Sequence, residues 1–296
     1  MAPTTPDRRE PAGGPGQRDR RRILAAGRGH SLAVRADGRV LAVGEDPSGA
    51  CRVEGWREVV SVAAGAVHVA ANTRRSHSVG LRADGSVVAA GWDAHGQCAV
   101  DGWRGIVAVA AGWRRTIGLR KDGTVLAIGR GAEGACDVGD WRDITAVACG
   151  DWHTVGLTAD GTALAVGNGA RGQCGIGDWQ DLRALSAGHL HTAALRADGR
   201  VLLAGELDQR DRVGTWEEVV AIASGSDHLL AVHADGRVSV AGAVDQADAV
   251  AAWQDVVGVA AGARHSLAVR ADGRVLAAGD DSRGQLRIAG RDLLGG

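Results

Sequence analysis

The 296-residue sequence predicts an all-β fold, a seven-bladed β-propeller. Three observations carry this: one unit recurs seven times, each copy reads as short strands, and the two chain ends supply complementary parts of one copy. The recurrence shows in the Asp-Gly pairs at Asp37, Asp84, Asp122, Asp160, Asp198, Asp235 and Asp272, spaced 47, 38, 38, 38, 37 and 37 residues apart. Trp56, Trp103, Trp141, Trp179, Trp216 and Trp253 follow in step. The unit can be written GxxHSLAVRADGRVLAVGxxxxGQCxVxxWRDIVAVAAG, with copies starting at Gly27, Gly65, Gly112, Gly150, Gly188, Gly225 and Gly262.

Within a copy, segments such as 31–35 and 39–43 are short, rich in Val and Leu, and separated by Asp-Gly. That dipeptide predicts a type I′ hairpin turn, which needs two residues at positive φ. A short strand around 51–53 and another over 59–63, after the Trp, bring the expected number to four antiparallel strands per copy. No segment is helical in period or long enough for a βαβ crossover. The last copy stops at 291–296, where its fourth strand should begin, and residues 23–27 (ILAAG) match the missing strand. The N-terminal strand is therefore expected to complete the last blade and close the ring, which removes free sheet edges.

Composition agrees with a large folded core. The chain is 45% apolar and 23% charged with a net charge of −1, unlike a disordered chain. Phe and Tyr are absent, so Val, Leu, Ile, Ala and nine Trp must build the interior. The 46 Gly follow no Gly-X-Y period, which excludes collagen. No run of 18 apolar residues suggests a membrane span, and the N-terminus lacks the apolar region of a secretory signal. Five Cys without a CxxC pair favour a reducing compartment, so the expected location is the cytoplasm. Residues 1–22 hold four of the five Pro and six Arg against three acidic residues, and read as a disordered basic tail of net charge +3. The propeller, 23–296, then carries about −4 by difference.

The GxxHS/T…ADG…VxAxG…GQC…W(R/Q)D…VAAG unit resembles the regulator of chromosome condensation repeat, over residues 23–296. The short copies look like the compact bacterial version of that repeat. The resemblance implies a propeller and leaves function diffuse: the founder is a chromatin-bound exchange factor for a small GTPase, other members are interaction scaffolds, and a bacterial β-lactamase inhibitor uses a similar short repeat. The founder's exchange surface does not map onto this chain residue by residue.

Motifs that could carry chemistry are better read as scaffold. Two strings, 129–134 and 167–172, fit GxGxxG, but a Cys-containing segment and the Trp follow where a dinucleotide site needs a helix. His30, His77, His153, His191, His228 and His265 recur at the start of the first strand, with Arg115 in the third copy. Each lies on a different blade, so they cannot converge on one metal ion, and they are expected to lock adjacent blades. Cys51, Cys98, Cys136 and Cys174 share one slot and read as small buried side chains. The seven Asp are turn formers. No catalytic residue, metal or cofactor is expected, and the chain reads as non-enzymatic.

The copies differ in two loops, the xx of GxxH and the stretch after VxAxG, and antiparallel order puts both on one face of the disc. Trp92, Trp113 and Trp152 are the Trp outside the periodic slot, on three consecutive blades of that face. Blade two also carries about nine extra residues between Gly65 and His77, and Arg74, Arg75 and Arg114 lie beside these Trp. Trp and Arg are enriched at interface hot spots, so these six residues are the expected partner-binding set. The competing reading folds the Trp flat over neighbouring loops. The leading function is thus a monomeric protein-binding module for a partner with an acidic or apolar protrusion. A chromatin- or GTPase-associated regulator and a protein inhibitor of a bacterial enzyme are the alternatives. Nucleic acid is not expected, because the propeller is net acidic.

Overall fold

In the computed structural model the described residues are 23–65, 75–242 and 245–295. They form seven three-stranded antiparallel sheets, one per blade. The first comprises β1 (Leu24–Ala26), β2 (His30–Val34) and β3 (Val40–Gly44), and the second β4 (Val59–Ala64), β5 (His77–Arg82) and β6 (Val87–Gly91). The third holds β7 (Ile106–Ala111), β8 (Arg115–Arg120) and β9 (Val125–Gly129). The fourth holds β10 (Ile144–Cys149), β11 (His153–Thr158) and β12 (Ala163–Gly167). The fifth holds β13 (Leu182–Ala187), β14 (His191–Arg196) and β15 (Val201–Gly205). The sixth contains β16 (Val219–Ser224), β17 (His228–His233) and β18 (Val238–Gly242), and the seventh β19 (Val256–Ala261), β20 (His265–Arg270) and β21 (Val275–Gly279).

Four expectations are corrected. The segment 51–53 is a turn, so each sheet has three strands instead of four: Arg52 N–H donates to Gly49 O at 3.1 Å and Val53 N–H to Cys51 O at 2.9 Å, using groups a strand would offer to a neighbour. The N-terminal strand pairs with β2, with Leu24 opposite Ala33, and does not complete the last sheet. The cause is GxxH itself, a two-residue link in which Gly27 N–H donates to His30 O at 2.9 Å. Where the link is so short, the strand before it pairs with the strand that follows it. The Asp-Gly turns are not type I′: Gly38 has φ +77° while Asp37 is not at positive φ, and the Asp37 carboxylate accepts from Arg39 N–H at 2.9 Å. A glycine alone in the left-handed region marks a three-residue turn with a bulge. Finally, copies five and six contain helical turns, α1 (Arg210–Val213) and α2 (Ala247–Ala251).

Both chain ends share one core. Ile23 and Leu24 pack in the cluster that holds Leu267 and Val269 of the seventh sheet and Ile288 and Leu293 of the C-terminal segment. Ala36 N–H donates to Leu293 O at 2.8 Å, and Ala263 N–H to Gly27 O at 3.2 Å. Of the periodic Trp, five are 7–8% exposed. Their rings press on the middle strand of the next blade, where a Cβ on Gly118 would lie 2.5 Å from Trp103.

A second series of joints runs around the axis. The His30 Nε2 meets Ser78 Oγ at 2.9 Å, His77 meets Thr116 at 2.9 Å, His153 meets Thr192 at 2.8 Å, His228 meets Ser266 at 3.0 Å and His265 meets Ser31 at 2.9 Å. Arg115 takes the same place in the third blade: its Nε donates to Thr154 Oγ1 at 3.0 Å and its guanidinium to the carbonyls of Gly150, Asp151 and His153. The hydroxyls of Ser31, Ser78, Thr116 and Thr192 donate to backbone carbonyls at 2.7–2.8 Å, so each must accept from an imidazole Nε2–H. That fixes the neutral tautomer. Burial lowers the pKa of His30, His77 and His228 to about 4, and of His153, His191 and His265 to about 3.

Among the described residues no helix is long and apolar enough to cross a membrane.

Candidate partner-binding face

The two variable loops of each copy are tied side by side at one end of the blade. Trp92 N–H donates to Ser76 O at 2.9 Å, Arg130 N–H to Arg114 O at 2.8 Å and Asn168 N–H to Trp152 O at 3.0 Å. The Asp-Gly turns and Trp loops meet at the other end, where Val59 N–H donates to Gly38 O at 3.0 Å. The repeat therefore holds rigid strands below and leaves the loop side chains to choose their own contacts.

On blades two to four those side chains converge. The Arg114 guanidinium lies over the Trp113 ring, 3.7 Å from its centroid, and 5.2 Å from the Trp92 centroid. Arg75 approaches Trp92 at 5.7 Å. Trp113 and Trp152 meet edge to face at 4.6 Å and 73°, the arrangement their ring quadrupoles favour. Each cation–π contact contributes about 0.5–2 kcal/mol, rising as the cation is desolvated. All three Trp are half-buried, so they are partly spent on one another and partly open to the face.

The structure thus brings together Trp92, Trp113, Trp152, Arg75 and Arg114 from the expected set. Arg74, the inserted stretch 66–74 and the tail 1–22 lie outside the described residues. One member escaped the sequence reading: His95 stacks edge-on against Trp92 at 5.3 Å, and its Nε2 lies 3.5 Å from Arg114 Nη1. Burial, then the positive charges of Arg114 and Arg130, lower the His95 pKa, so its imidazole can accept from Arg114. His95 lies in the variable loop, and nothing in its sequence context separates it from other loop residues.

A second feature of the same face was also missed. A cavity of about 940 Å³ opens over blades five to seven, and Glu206, Asp208, Asp227, Asp245, Asp280 and Arg264 line it. The signal existed: copies five and six lack the Gly-(Gln/Ala)-(Cys/Leu) loop of the other copies, and α1 and α2 stand there instead. The face is therefore bipolar, cationic and aromatic on blades two to four and anionic on blades five to seven.

The other motifs are structural. Cys98 Sγ and Cys136 Sγ lie 3.6 and 3.3 Å from the carbonyl oxygens of Trp92 and Arg130, and burial pushes the Cys51 and Cys98 thiols up to about 12. These side chains are half-buried where full burial was expected. The strings 129–134 and 167–172 end in turns with no helix after them. Among the described residues no group of three or more His, Cys, Asp or Glu is placed to hold a metal ion.

Seven such sheets around one axis define a β-propeller built from a single repeated unit. Residues 106–135, 144–173 and 256–285 match the regulator of chromosome condensation (RCC1) repeat. Each matched segment spans one three-stranded sheet and the loop after it. No curated protein matches the chain. Among solved structures, the ectodomain of the receptor kinase CR4 from Physcomitrella patens superposes with a TM-score of 0.69 at 15% identity, covering 87% of this chain and 73% of that one. The CRINKLY ectodomain of ACR4 from Arabidopsis thaliana gives 0.68 at 16% identity, over 90% and 97%. Prp20p from Saccharomyces cerevisiae gives 0.65 at 19%, over 83% and 81%. These likenesses establish the RCC1-like propeller fold.

Proposed function

We propose that this chain is a non-enzymatic RCC1-repeat propeller that binds a protein partner through the face bearing Trp92, Trp113, Trp152, Arg75 and Arg114; Arg74, next to Arg75 in the sequence, belongs to the proposed set. One observation carries the reading: the Arg114 guanidinium sits between Trp113 and Trp92 on loops whose counterparts in other blades hold neither residue type together. The frame does not need this cluster, because blades without it keep the same strands and register. Trp and Arg in a pre-assembled, half-buried group lose little side-chain freedom on binding, which is the property of an interface anchor. The partner is expected to offer an acidic or apolar protrusion. Nucleic acid and membrane are outside the reading, since the repeats carry about −4.

The repeats are proposed to be of the compact bacterial type, on the support of their three-stranded sheets and short links. The five free thiols suit a reducing cytoplasm, and the joint from His265 to Ser31 supports a self-contained monomer.

The test is a comparative pull-down from a lysate of the source cells. Baits are the wild-type chain and the Trp92→Ala, Trp113→Ala, Trp152→Ala triple variant, with circular dichroism confirming that both fold. A protein retained by the wild type and lost by the variant supports the reading. Identical profiles overturn it.

A further inference from the structure

We propose that Arg75 and Arg114 receive a carboxylate, an aspartate or glutamate side chain of the protein partner. This rests on the reading that the Trp face meets a protein, and it names the group that this face takes. The two guanidiniums both approach the Trp92 ring, at 5.7 and 5.2 Å from its centroid. Like charges held around one ring repel unless an anion joins them. Among the described residues neither arginine forms an ion pair, although Arg130 and Arg171 of the neighbouring loops do. The acidic side chains of the same loops are engaged elsewhere: Asp93 accepts from Cys98 N–H at 2.7 Å, Glu133 accepts from Arg130 through both carboxylate oxygens, and Asp151 meets His189 Nδ1 at 2.8 Å. A third guanidinium follows Arg114 in the chain. Arg115 is 3% exposed, and its donors go to the Thr154 hydroxyl and to three backbone carbonyls, all of them neutral. Solvent screens such a buried charge little, so it adds to the positive field under the cluster.

A second observation is independent of the charges. Trp113 Nε1 and Arg114 Nε are shut off from solvent and meet no acceptor among the described residues. Both are donors only, as are the other guanidinium N–H groups of Arg75 and Arg114. The side-chain acceptor of the cluster is His95 Nε2, 3.5 Å from Arg114 Nη1. A site rich in unmet donors suits a group that only accepts, and an ionised carboxylate is such a group. Its two coplanar oxygens match the edge of a guanidinium, and the charge shortens and strengthens each bond. Trp113 and Arg114 are half-buried on one loop, so a carboxylate that draws the guanidinium outward also uncovers the indole N–H. Trp152, edge to face against Trp113, offers apolar surface to the methylene groups that carry the carboxylate.

Two other occupants fit less well. The chain's own residues 1–22 hold six Arg against three acidic residues and bring the wrong charge. A phosphate is best held by a nest of free backbone N–H groups, and here the N–H groups of Trp92 and Arg130 are already bonded to Ser76 O and Arg114 O. The chain as a whole repels a polyanion, since its net charge is −1, so binding of an acidic peptide has to be local.

The experiment is isothermal titration of the full chain with blocked hexa-glutamate, with hexa-glutamine, its neutral isostere, and with a hexapeptide whose three phosphoserines give it about the same charge as hexa-glutamate. Hexa-glutamate should bind about tenfold more tightly than hexa-glutamine, or better. Arg75→Gln leaves the contact of Arg114 with Trp113 in place and should weaken hexa-glutamate by about fivefold; Arg75→Gln with Arg114→Gln should weaken it by more than about tenfold. Arg39→Gln with Arg200→Gln removes two exposed charges from the opposite, Asp-Gly face and should leave affinity within about twofold. The inference is overturned if hexa-glutamine binds equally, if hexa-glutamate does not bind, if the phosphoserine peptide binds more tightly, or if the opposite-face variant weakens binding as much as the Arg75, Arg114 variant. The pull-down decides the underlying reading separately. A protein lost by the Trp triple variant but retained by the Arg75, Arg114 variant keeps the face and rejects the carboxylate. Selective hexa-glutamate binding with identical pull-down profiles keeps the carboxylate and rejects the protein-partner reading.

Discussion

Leu229 stands where His191 would find a hydroxyl. In the blades before and after, the residue following the repeat histidine is Thr192 or Ser266, and each meets the imidazole of the preceding blade. In the sixth blade that residue is Leu229, fully buried, and neither ring nitrogen of His191 has a hydrogen-bond partner among the described residues. The joint between blades five and six is held elsewhere, by Arg183 donating to Val219 O and by Ser224 N–H donating to Ser186 Oγ at 2.7 Å.

The two histidines should therefore respond differently to the same substitution. His153→Leu breaks a satisfied pair, while His191→Leu removes an imidazole that already lacks one. Urea unfolding midpoints should place His153→Leu below His191→Leu by the equivalent of about 1–3 kcal/mol. Equal midpoints would mean that the imidazole–hydroxyl joints do not hold the blades.

Acid should act through the same ring. Six buried imidazoles have folded pKa values of about 3 or 4, against 6.5 for an exposed one. Between pH 6.5 and about 4 the unfolded chain binds more protons, so stability is complete above 6.5 and is lost as pH falls through that window. Chemical unfolding at pH 7.0, 5.5 and 4.5 should show midpoints dropping steadily, with a shallower slope for His228→Gln. A flat profile down to pH 4 would contradict neutral, buried histidines.

Much of this was legible in the sequence. The Asp-Gly and Trp periods count the blades, because each turn needs its glycine and each Trp packs on the next blade. The same alternation places Trp92, Trp113 and Trp152 on one face. Periodicity does not reveal partners, however. Whether the strand over 24–26 pairs with the last copy or with the first depends on the two-residue link before His30, a backbone property that the repeat frame leaves open. The segment 51–53 has strand composition, but its N–H groups close turns on Gly49 and Cys51. The cavity arises where copies five and six abandon the Gly-(Gln/Ala)-(Cys/Leu) loop, and a consensus repeat draws attention away from such departures.

Arg114 should be the keystone of the Trp cluster. It contacts both Trp113 and Trp92, so Arg114→Ala removes two cation–π contacts and frees the rings to relax. The expected result is a shift of Trp emission with a stability loss of about 1–2 kcal/mol. Arg114→Lys should recover less than half of it, since an ammonium cannot stack flat on a ring. Unchanged emission in Arg114→Ala would show that the Trp hold their places without it.

Ring closure can be tested at Gly262. Its φ is ordinary, so its requirement is steric and not conformational. A Cβ there would lie 2.5 Å from Gly27 O and 2.5 Å from His265 Cε1. The first contact is with backbone of the first copy and the second with a ring locked onto Ser31, so neither can withdraw cheaply. Gly262→Ala must push the seventh blade away from the first and should cost about 3 kcal/mol. Gly102→Ala, where a Cβ would meet nothing within 4 Å, should change stability by less than about 0.5 kcal/mol. Thermal unfolding of both variants separates a closed ring from seven loosely stacked sheets: a large loss at Gly262 alone requires the first and last blades to be in register, and equal losses at the two positions would dissolve that joint.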